Sequence, residues 1–165
     1  MSVEPSLLDY VTFREYRPED YNFILSNWAK SYRSSPYSGP IPNNLYHATL
    51  KELVDQLLGR GAYVVLAVSE DDDDQFLGFV CWEQAQALPV VHYVFVKDEF
   101  REIHGLGRAL LRVATKDGDF IYTHKTLDEG AKRLQKGGTF VKAIACRKNL
   151  EPVCQPKRNP KKKTS

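Results

Sequence analysis

The stretch from Val90 to Thr115 reads VVHYVFVKDEFREIHGLGRALLRVAT and joins three different patterns. Its first seven residues, Val90 to Val96, are apolar at nearly every position, which is typical of a strand buried on both faces of a sheet. The glycines Gly105 and Gly107 follow after a polar turn. Apolar residues then recur at helical spacing, at Leu106, Ala109, Leu110 and Val113. The stretch therefore predicts a central strand, a glycine-containing loop and a helix in direct succession.

The residues before this stretch predict a strand, two helices and a hairpin. Their apolar spacing places a strand at Val11 to Tyr16, helices beginning at Asp20 and Leu45, and strands at Ala62 to Val68 and Phe76 to Glu83. Prolines and a glycine in Arg33 to Asn44 predict a loop between the helices. The hairpin would turn through SEDDDDQ, whose contiguous carboxylates point in different directions. We therefore expect a solvated turn there and no metal site.

The residues after the stretch predict the remaining elements of one domain. They are a strand at Phe120 to Thr126, a short helix at Leu127 to Gln135 and a last strand at Thr139 to Ala145. The resulting order, βααβββαβαβ, is typical of the α/β class, with a single mixed, mostly antiparallel sheet flanked by helices. We expect this domain to span residues 1–150, followed by a basic tail at residues 151–165.

Composition and cysteine content are those expected of an intracellular globular protein. No apolar run approaches the roughly 20 residues that a membrane span requires, and the start, MSVEPSLLDY, has no signal-peptide pattern. The three cysteines, Cys81, Cys146 and Cys154, match the spacing of neither a zinc site nor a disulfide framework. We therefore expect a cytoplasmic protein with free thiols, in which Cys81 belongs to the core.

The basic C-terminal end has two interpretations. The last ten residues, PKRNPKKKTS, carry five basic groups and no acidic group, whereas the whole chain has a net charge of +2. Such a tail is most simply a solvated, disordered terminus rich in proline and lysine. It could also bind the phosphates of a nucleic acid.

The glycines after the central strand predict a site for an anion. Amides in the first turn of a helix have no acceptor within the helix, and glycine lets a ligand approach them closely. Arg101, His104 and Arg108 flank the turn and would add charge-assisted hydrogen bonds to a phosphate. The site is not a P-loop, because no Gly-Lys-Ser/Thr follows. It is not a dinucleotide fingerprint either, because Leu111 stands in place of the third glycine.

The same residues resemble the acyl-coenzyme A signature of the GNAT N-acetyltransferase superfamily, Arg/Gln-x-x-Gly-x-Gly/Ala after a strand that ends in an apolar-x-Val pair. The resemblance covers roughly residues 11–145 and is most specific from Val94 to Leu111. It implies an enzyme that transfers an acetyl or other acyl group from acetyl-CoA, as cosubstrate, to an amine by direct attack. Arg101 lies four residues before Gly105 where the signature has three, and Glu102 occupies the signature position.

The resemblance also implies which residues hold the coenzyme. Backbone groups of Val94 and Val96 would bind the pantetheine arm, and Arg101 would face the phosphates. The pyrophosphate would lie against the amides of His104, Gly105, Leu106, Gly107 and Arg108. Many members of the superfamily protonate the departing thiolate with a late tyrosine, but Leu134 stands at about that position here.

Glu83 and His92 are candidates to accept the proton that the amine loses. Glu83 ends the strand before the coenzyme strand, and His92 has the same side-chain parity as Val94 and Val96. Each also has a purely structural interpretation. Glu83 would then be a solvated charge at the end of a hairpin, and His92 would be a core histidine bonded to backbone.

Tyr122 and His124 are candidates to protonate the thiolate. They alternate on one face of FIYTHKT, which in the superfamily is the strand that diverges from the coenzyme strand. The alternative for Tyr122 is simple packing with its hydroxyl at the surface. The superfamily also shapes its acceptor pocket with the loop between the first two helices, so we expect Tyr32 and Tyr37 to contact the acceptor.

A second resemblance concerns the origin of the protein. The segments SYRSSPYSGPIPNN, HYVFVK and YTHKT resemble small GNAT-like proteins encoded by bacteriophages, which implies a phage protein in the cytoplasm of a host bacterium. Neither resemblance identifies the acceptor, which stays open among a polyamine, a protein amine, an antibiotic and a modified base.

Two other functions are compatible with the sequence. A DNA-modifying or nucleic-acid-binding relative would use the basic tail and the arginine-rich cleft to engage phosphates. A non-catalytic module on the same fold would use its sheet to bind a protein partner. With either function, as with acyl transfer, we expect no resident metal and no membrane interaction.

Overall fold

The computed structural model describes residues 6–85, 88–101, 103, 105–124 and 137–140 of the 165-residue chain. These residues form six strands, β1 (Val11–Glu15), β2 (Tyr63–Ser69), β3 (Asp72–Gln84), β4 (Pro89–Val96), β5 (Phe120–Tyr122) and β6 (Gly138–Phe140). They also form three α-helices, α1 (Tyr21–Arg33), α2 (Asn43–Gly59) and α3 (Leu106–Thr115). Short 3-10 turns lie at Leu7–Tyr10, Pro18–Asp20, Pro36–Ser38 and Asp98–Phe100.

Several predicted features lie outside the described residues. They are the helix at residues 127–135, the last strand beyond Phe140, the tail at residues 151–165, and Glu102, His104, Leu134, Cys146 and Cys154.

The six strands belong to one sheet, in the order β1-β2-β3-β4-β5-β6. The pairs β1–β2, β2–β3 and β3–β4 are antiparallel, whereas β4–β5 and β5–β6 are parallel. Helices α1 and α2 cover one face of the sheet, and α3 covers the other. The predicted class, a single mixed, mostly antiparallel sheet flanked by helices, is confirmed. No helix in the described part of the chain is long and apolar enough to cross a membrane.

The face covered by α1 and α2 holds the larger apolar core. Helically spaced residues of both helices pack there against β2, β3 and β4, and those almost completely buried include Ile24, Trp28, Val54, Leu57, Leu66 and Phe79. Burial of one such side chain stabilises a fold by about 1.5–3 kcal/mol. Helix α2 begins at Asn43, two residues before the predicted start, directly after Pro42. Proline is compatible with a helix start because the amide that it lacks would have no acceptor there.

The predicted hairpin of β2 and β3 is confirmed, but its turn is shorter than SEDDDDQ. Only Glu70 and Asp71 lie between the two strands, and the aspartates that follow belong to β3. Asp72 pairs with Ser69, which extends the antiparallel ladder into the acidic run. The aspartate side chains are exposed to solvent, as predicted.

Helix α3 lies on the opposite face of the sheet and begins at the glycines, as predicted. Gly105 precedes it with a φ of 85°, a conformation that glycine adopts far more readily than other residues. Leu106, Leu110 and Leu111 bury the apolar side of the helix against β3 and β4. The sequence pattern of Val90 to Thr115 therefore folds as a strand, a glycine turn and a helix.

The parallel pairing of β4 with β5 is short. It is confined to Val90 with Ile121 and Val91 with Tyr122, where β5 ends, so β5 is shorter than predicted. One further hydrogen bond joins the amide of Thr123 to the carbonyl oxygen of Val91, at 3.2 Å. Beyond that bond, no pairing connects the two segments in the part of the chain that the structure describes.

A bulge in β4 lies at the point where this pairing stops. On the β3 side, Cys81 pairs with Tyr93, but the next residue, Trp82, pairs with Val91. His92 is therefore an extra residue in β4. The alternation of side chains between the two faces of the sheet is interrupted there.

Candidate functional site

One edge of β4 and the start of α3 lie close together. From His92 to Val96, β4 has a partner strand only on its β3 side within the described residues. We call the region between this part of β4 and residues 123–124, which directly follow β5, the fork. Val94 and Val96 lie along the fork, and both contact the apolar cluster that contains Leu106, the first residue of α3. The backbone of β4 and the first amides of α3 therefore lie side by side at the fork.

The first turn of α3 carries two amides with no backbone acceptor in the helix. The amide of Leu106 already donates to a preceding carbonyl oxygen at 3.2 Å, and the amide of Ala109 donates to the carbonyl oxygen of Gly105 at 2.9 Å. Gly107 and Arg108 lie between them, where α-helix geometry supplies no backbone acceptor. Together with the helix dipole, these two amides suit an anion.

Arg101 lies beside the end of β4. Its Nε donates to the carbonyl oxygen of Val96 at 3.2 Å, and its Nη2 is 3.0 Å from Asp98 Oδ1. These contacts hold the guanidinium near the end of the strand. Arg108 is exposed on the first turn of α3. Positive charge therefore lies near both the strand and the helix start.

Four polar side chains from three strands or strand ends form a continuous row where β4 and β5 separate. His92 Nε2 lies 3.2 Å from Glu83 Oε2, and His92 Nδ1 lies 3.0 Å from Thr123 Oγ1. Thr123 Oγ1 in turn lies 2.8 Å from His124 Nδ1. His92, Thr123 and His124 are only 2%, 3% and 7% exposed. We call this arrangement, from Glu83 to His124, the polar row.

Arg60 closes the outer end of the polar row. Its Nε contacts Glu83 Oε1, and its Nη2 lies 3.1 Å from Glu83 Oε2. Burial alone would raise the pKa of Glu83, but the hydrogen bonds from His92 and Arg60 together outweigh it and lower that pKa. Glu83 is therefore an ionised acceptor at neutral pH and not a solvated charge.

Burial lowers the pKa of both histidines in the polar row. At His92 it outweighs the hydrogen bond to Glu83, which acts in the opposite direction. At His124 it lowers the pKa to about 3, and the neighbouring His92 adds to the effect. Both rings are therefore neutral at pH 7.

The position of His92 differs from the prediction. Val94 and Val96 contact the cluster under α3, but His92 does not share their face because the bulge shifts the alternation. Its ring bonds to Glu83 and Thr123 instead. His92 is thus a buried histidine held by side chains, not by backbone groups.

The prediction that Tyr122 and His124 lie on one face is wrong. Strand β5 ends at Tyr122, so strand alternation does not extend to His124. Tyr122 packs on the α3 side, with ring centroids 6.3 Å from Phe120 and 5.5 Å from Phe140. His124 packs on the opposite side, 5.3 Å from the ring of Trp28.

Aromatic residues surround the inner end of the polar row. The ring of Tyr32 meets His124 edge-on at a centroid distance of 4.9 Å, and Trp28 stacks on Tyr93 at 4.9 Å. Tyr32 is half-buried. The Trp28 Nε1–H group is fully buried and has no acceptor among the described residues. Tyr37 lies in the turn after α1, and its side chain is outside what the structure describes.

The sequence does not predict Thr123 or Arg60 as site residues. Thr123 is a small polar residue in a strand-like segment, and its partner His92 is 31 residues away along the chain. Arg60 follows α2 and meets Glu83 only because the helix ends beside the end of β3. The one sequence signal for Thr123 is that it is a polar residue between two candidate residues, Tyr122 and His124.

Comparison with solved structures identifies the fold. A candidate acetyltransferase from Pyrococcus furiosus has a TM-score of 0.52 at 20% sequence identity, over 76% of this chain and 90% of that one. Another from Clostridium difficile 630 has a TM-score of 0.50 at 13% identity, over 77% and 88%. The PaiA N-acetyltransferase from Thermoplasma acidophilum, crystallised in complex with coenzyme A, has a TM-score of 0.47 at 16% identity, over 63% and 69%.

The likeness to the first two structures shows a fold shared with these acetyltransferases, a mixed six-stranded sheet flanked by helices. At these identities the likeness extends to the fold alone. No protein-family model matches the sequence, and no curated protein matches it either. The function therefore has to follow from the residues of the site.

Proposed function

We propose that this protein transfers an acyl group, in the simplest case acetyl, from coenzyme A to an amine by direct attack in a ternary complex. The observation that carries the proposal is the edge of β4 from His92 to Val96, which has no partner strand on that side among the described residues and lies beside the first turn of α3. An arm that contains amide groups fits an open strand edge, and a pyrophosphate fits the amides of a helix start. A strand edge and the amides of a helix start both lie at the fork.

The coenzyme would lie across the fork and the start of α3. The backbone of Val94 and Val96 would bind the pantetheine arm, and the amides of Gly107 and Arg108 would bind the pyrophosphate. Gly105 is compatible with a ligand at this place, because a Cβ built on it would meet none of the described atoms within 4 Å. The arginines at the strand end and in the helix turn would add charge-assisted hydrogen bonds to the phosphates.

The reaction requires one group to move a proton. The amine nitrogen attacks the thioester carbon, a C–N bond forms, and the C–S bond breaks to release coenzyme A. The amine loses one proton and the sulfur gains one, so a single acid–base group can serve both steps. A backbone amide on this edge of β4 would stabilise the negative charge that develops on the carbonyl oxygen.

The polar row supplies the acid–base group in this proposal. It combines three of the candidate residues, Glu83, His92 and His124, in one set of hydrogen bonds at the place where the fork begins. Tyr122 lies on the α3 side of the sheet and stays a candidate for protonating the sulfur. The amine would enter on the α1 side past Tyr32 and Tyr37, where aromatic rings favour a cationic or amino ligand.

Calorimetric titration with acetyl-CoA tests the proposal. We expect the wild type to bind with a dissociation constant in the micromolar range. Gly107→Glu places a carboxylate in the first turn of α3, where it repels the pyrophosphate, and should weaken binding at least about tenfold. Gly59→Glu is the matched control, because Gly59 is also helical and a Cβ there would meet none of the described atoms within 4 Å. It should bind as the wild type does.

Two results would contradict the proposal. One is a folded wild-type protein that does not bind acetyl-CoA. The other is equal weakening by Gly107→Glu and Gly59→Glu, which would mean that binding does not involve the start of α3. Where binding is found, acyl transfer is measured as the release of free coenzyme A thiol in the presence of spermidine or a peptide with a free N terminus.

A further inference from the structure

Strand β1 forms one edge of the sheet and, among the described residues, has a partner strand only on its β2 side. Strands at the edge of a sheet commonly avoid pairing with other chains through a proline, an exposed lysine or a bulge. The sequence of β1, VTFRE, contains no proline and no lysine, and its ladder with β2 is regular from Val11 to Glu15. Its one basic residue, Arg14, is turned towards Asp20 and is largely buried. The outer side of β1 is therefore suited to pair with a further strand.

The backbone groups of every second residue in β1 point away from β2. At the two ends of the ladder, the carbonyl oxygen of Tyr10 accepts a hydrogen bond from the β2 side at 2.8 Å, and the amide of Tyr16 donates one to that side at 3.0 Å. Residues of an antiparallel ladder alternate between bonding to the neighbouring strand and facing away from it. The even-numbered residues of β1 therefore bond to β2, whereas Val11, Phe13 and Glu15 present their amides and carbonyl oxygens outward.

Some of these outward groups already have a partner within the chain. The amide of Val11 donates to the carbonyl oxygen of Leu8, and the carbonyl oxygen of Glu15 accepts a hydrogen bond from Arg14 Nη1 at 3.2 Å. The carbonyl oxygen of Val11, the amide of Glu15 and both backbone groups of Phe13 have no hydrogen bond to another described residue. Backbone groups of this kind bond either to water or to a further strand.

Exposed apolar side chains are concentrated around this edge. Among the described residues, the large apolar side chains that are exposed are those of Leu7, Tyr10, Phe13, Leu45 and Tyr63. All of them except Leu45 belong to β1, to the turn before it or to β2. Phe13 is 38% exposed and pairs with Ala67, which belongs to the cluster under α3, so Phe13 lies on the α3 face of the sheet. A concentration of exposed apolar groups marks an interaction surface.

We propose that this edge pairs with the same edge of a second copy of the chain, in antiparallel orientation and with Phe13 opposite Phe13. The amide and the carbonyl oxygen of Phe13 then bond to their counterparts in the other copy, and each Glu15 amide donates to the Val11 carbonyl oxygen across the pair. Opposite residues of an antiparallel pair lie on the same face, so the two Phe13 rings are neighbours. The fork lies at β4, beyond β2 and β3, and stays outside this interface.

The charges in and beside β1 favour this register over its neighbours. With Phe13 at the centre, Asp9 lies opposite Arg17 at both ends of the pair, and both side chains are exposed. A shift of the centre by one residue towards the N terminus would place Asp9 opposite Glu15. A shift in the other direction would place the two Arg14 side chains opposite each other. Like charges at opposite positions destabilise a strand pair, whereas unlike charges stabilise it. The edge is therefore complementary in charge to itself, which identifies a second copy as its partner.

Sedimentation velocity of the full chain tests the proposal. The paired strands have only five residues each, so the interface is small and we expect a dissociation constant of about 10–100 µM. Phe13→Lys places two ammonium groups at the centre of the pair and should weaken association at least about tenfold. Leu45→Lys is the matched control, because Leu45 is also an exposed apolar residue but lies on α2. It should associate as the wild type does.

Disulfide formation tests the register, in the Cys146→Ser, Cys154→Ser background, where the remaining native cysteine is buried. Opposite residues of a hydrogen-bonded pair have Cα atoms about 5.5 Å apart, so Phe13→Cys should give a covalent dimer on oxidation. Glu15→Cys is the control, because the two copies of that residue would be about 14 Å apart, too far for a disulfide. A mixture of Val11→Cys and Glu15→Cys should give the mixed covalent dimer.

Three results would overturn the proposal. One is a wild-type protein that stays monomeric up to about 300 µM, which would leave the edge to a strand of a different protein. Another is a dimer that Phe13→Lys weakens no more than Leu45→Lys does, which would place the interface elsewhere. The third is disulfide formation by Glu15→Cys at the same rate as by Phe13→Cys, which would contradict the register. Should Phe13→Lys not fold, the association of the wild type and the disulfide experiment decide the matter.

Discussion

Gly78 of β3 lies so close to Phe95 of β4 that a Cβ atom on the glycine would be 2.3 Å from the Phe95 carbonyl oxygen. The same Cβ would lie 3.2 Å from Cδ1 of Leu110 in α3. The absence of a side chain at Gly78 therefore sets how closely α3 approaches the sheet. The place where the first turn of α3 meets β4, and with it the proposed coenzyme site, depends on this contact.

Gly78→Ala is expected to lower the free energy of unfolding by about 1–3 kcal/mol, because a backbone oxygen cannot move aside as the end of a flexible side chain can. Urea unfolding followed by tryptophan fluorescence measures the change. Gly59→Ala is the control, since Gly59 ends α2 and a Cβ there meets none of the described atoms within 4 Å. It should change stability by less than about 1 kcal/mol. Equal stability of Gly78→Ala and the wild type would contradict the close approach.

The buried ion pair of Arg14 and Asp20 is expected to be essential for stability. Their side chains are 10% and 3% exposed, and two hydrogen bonds of 2.7 Å and 2.9 Å join them. Asp20→Asn leaves the guanidinium buried without its counter-charge and should cost about 3–5 kcal/mol in unfolding experiments. The exposed pair of Lys51 and Asp55 gives the comparison, because Asp55→Asn should cost less than about 1 kcal/mol. Similar losses of stability in Asp20→Asn and Asp55→Asn would contradict a larger contribution from the buried pair.

Acid is expected to destabilise the fold through the buried histidines. In the unfolded chain a histidine binds a proton below about pH 6.5, whereas burial lowers the pKa of His124 to about 3 in the fold. The contribution of His124 is therefore complete above pH 6.5 and is lost as the pH falls towards 3. In urea unfolding between pH 7.5 and 5, the stability advantage of the wild type over His124→Gln should shrink by up to about 1.4 kcal/mol per pH unit below 6.5.

The pH experiment has a matched control in His47, which is exposed on α2. His47→Gln should follow the wild type across the same pH range. A stability difference between the wild type and His124→Gln that does not vary with pH would contradict the burial of a neutral imidazole at His124.

The thiol of Cys81 is expected to react only when the protein unfolds. Its side chain is 2% exposed, and burial raises its pKa, so the reactive thiolate is scarce. In the Cys146→Ser, Cys154→Ser background, labelling with Ellman's reagent should be at least about a thousandfold slower in buffer than in denaturant. Labelling at equal rates in the two solutions would place Cys81 outside the core.

Periodicity in the sequence was sufficient to predict most elements of the fold. The stripe of α1 and the alternation of β2 and β3 depend on residues only a few positions apart, so they are visible along the chain. The stretch from Val90 to Thr115 predicted a strand, a glycine turn and a helix, and the structure has β4, Gly105 and α3 there. The prediction of open phosphate-binding amides followed from the same local pattern.

Two predictions about side-chain direction were wrong for a related reason. His92 was assigned to the face of Val94 and Val96 by counting along the strand, but a bulge depends on the partner strand and cannot be counted from one segment. The alternation from Tyr122 to His124 was likewise assumed to continue past the end of β5. In both cases pairing with a neighbouring strand decided where the regular pattern stopped.

By itself, the sequence determined the kind and order of the elements and the glycine turn before α3, because these follow from preferences within a few residues of the chain. Only the tertiary structure decided that Glu83, His92 and Thr123 meet in one row with His124. A hydrogen bond requires its two atoms to lie within about 3 Å of each other. For residues on separate strands, that distance depends on register, on the bulge and on where the parallel pairing ends.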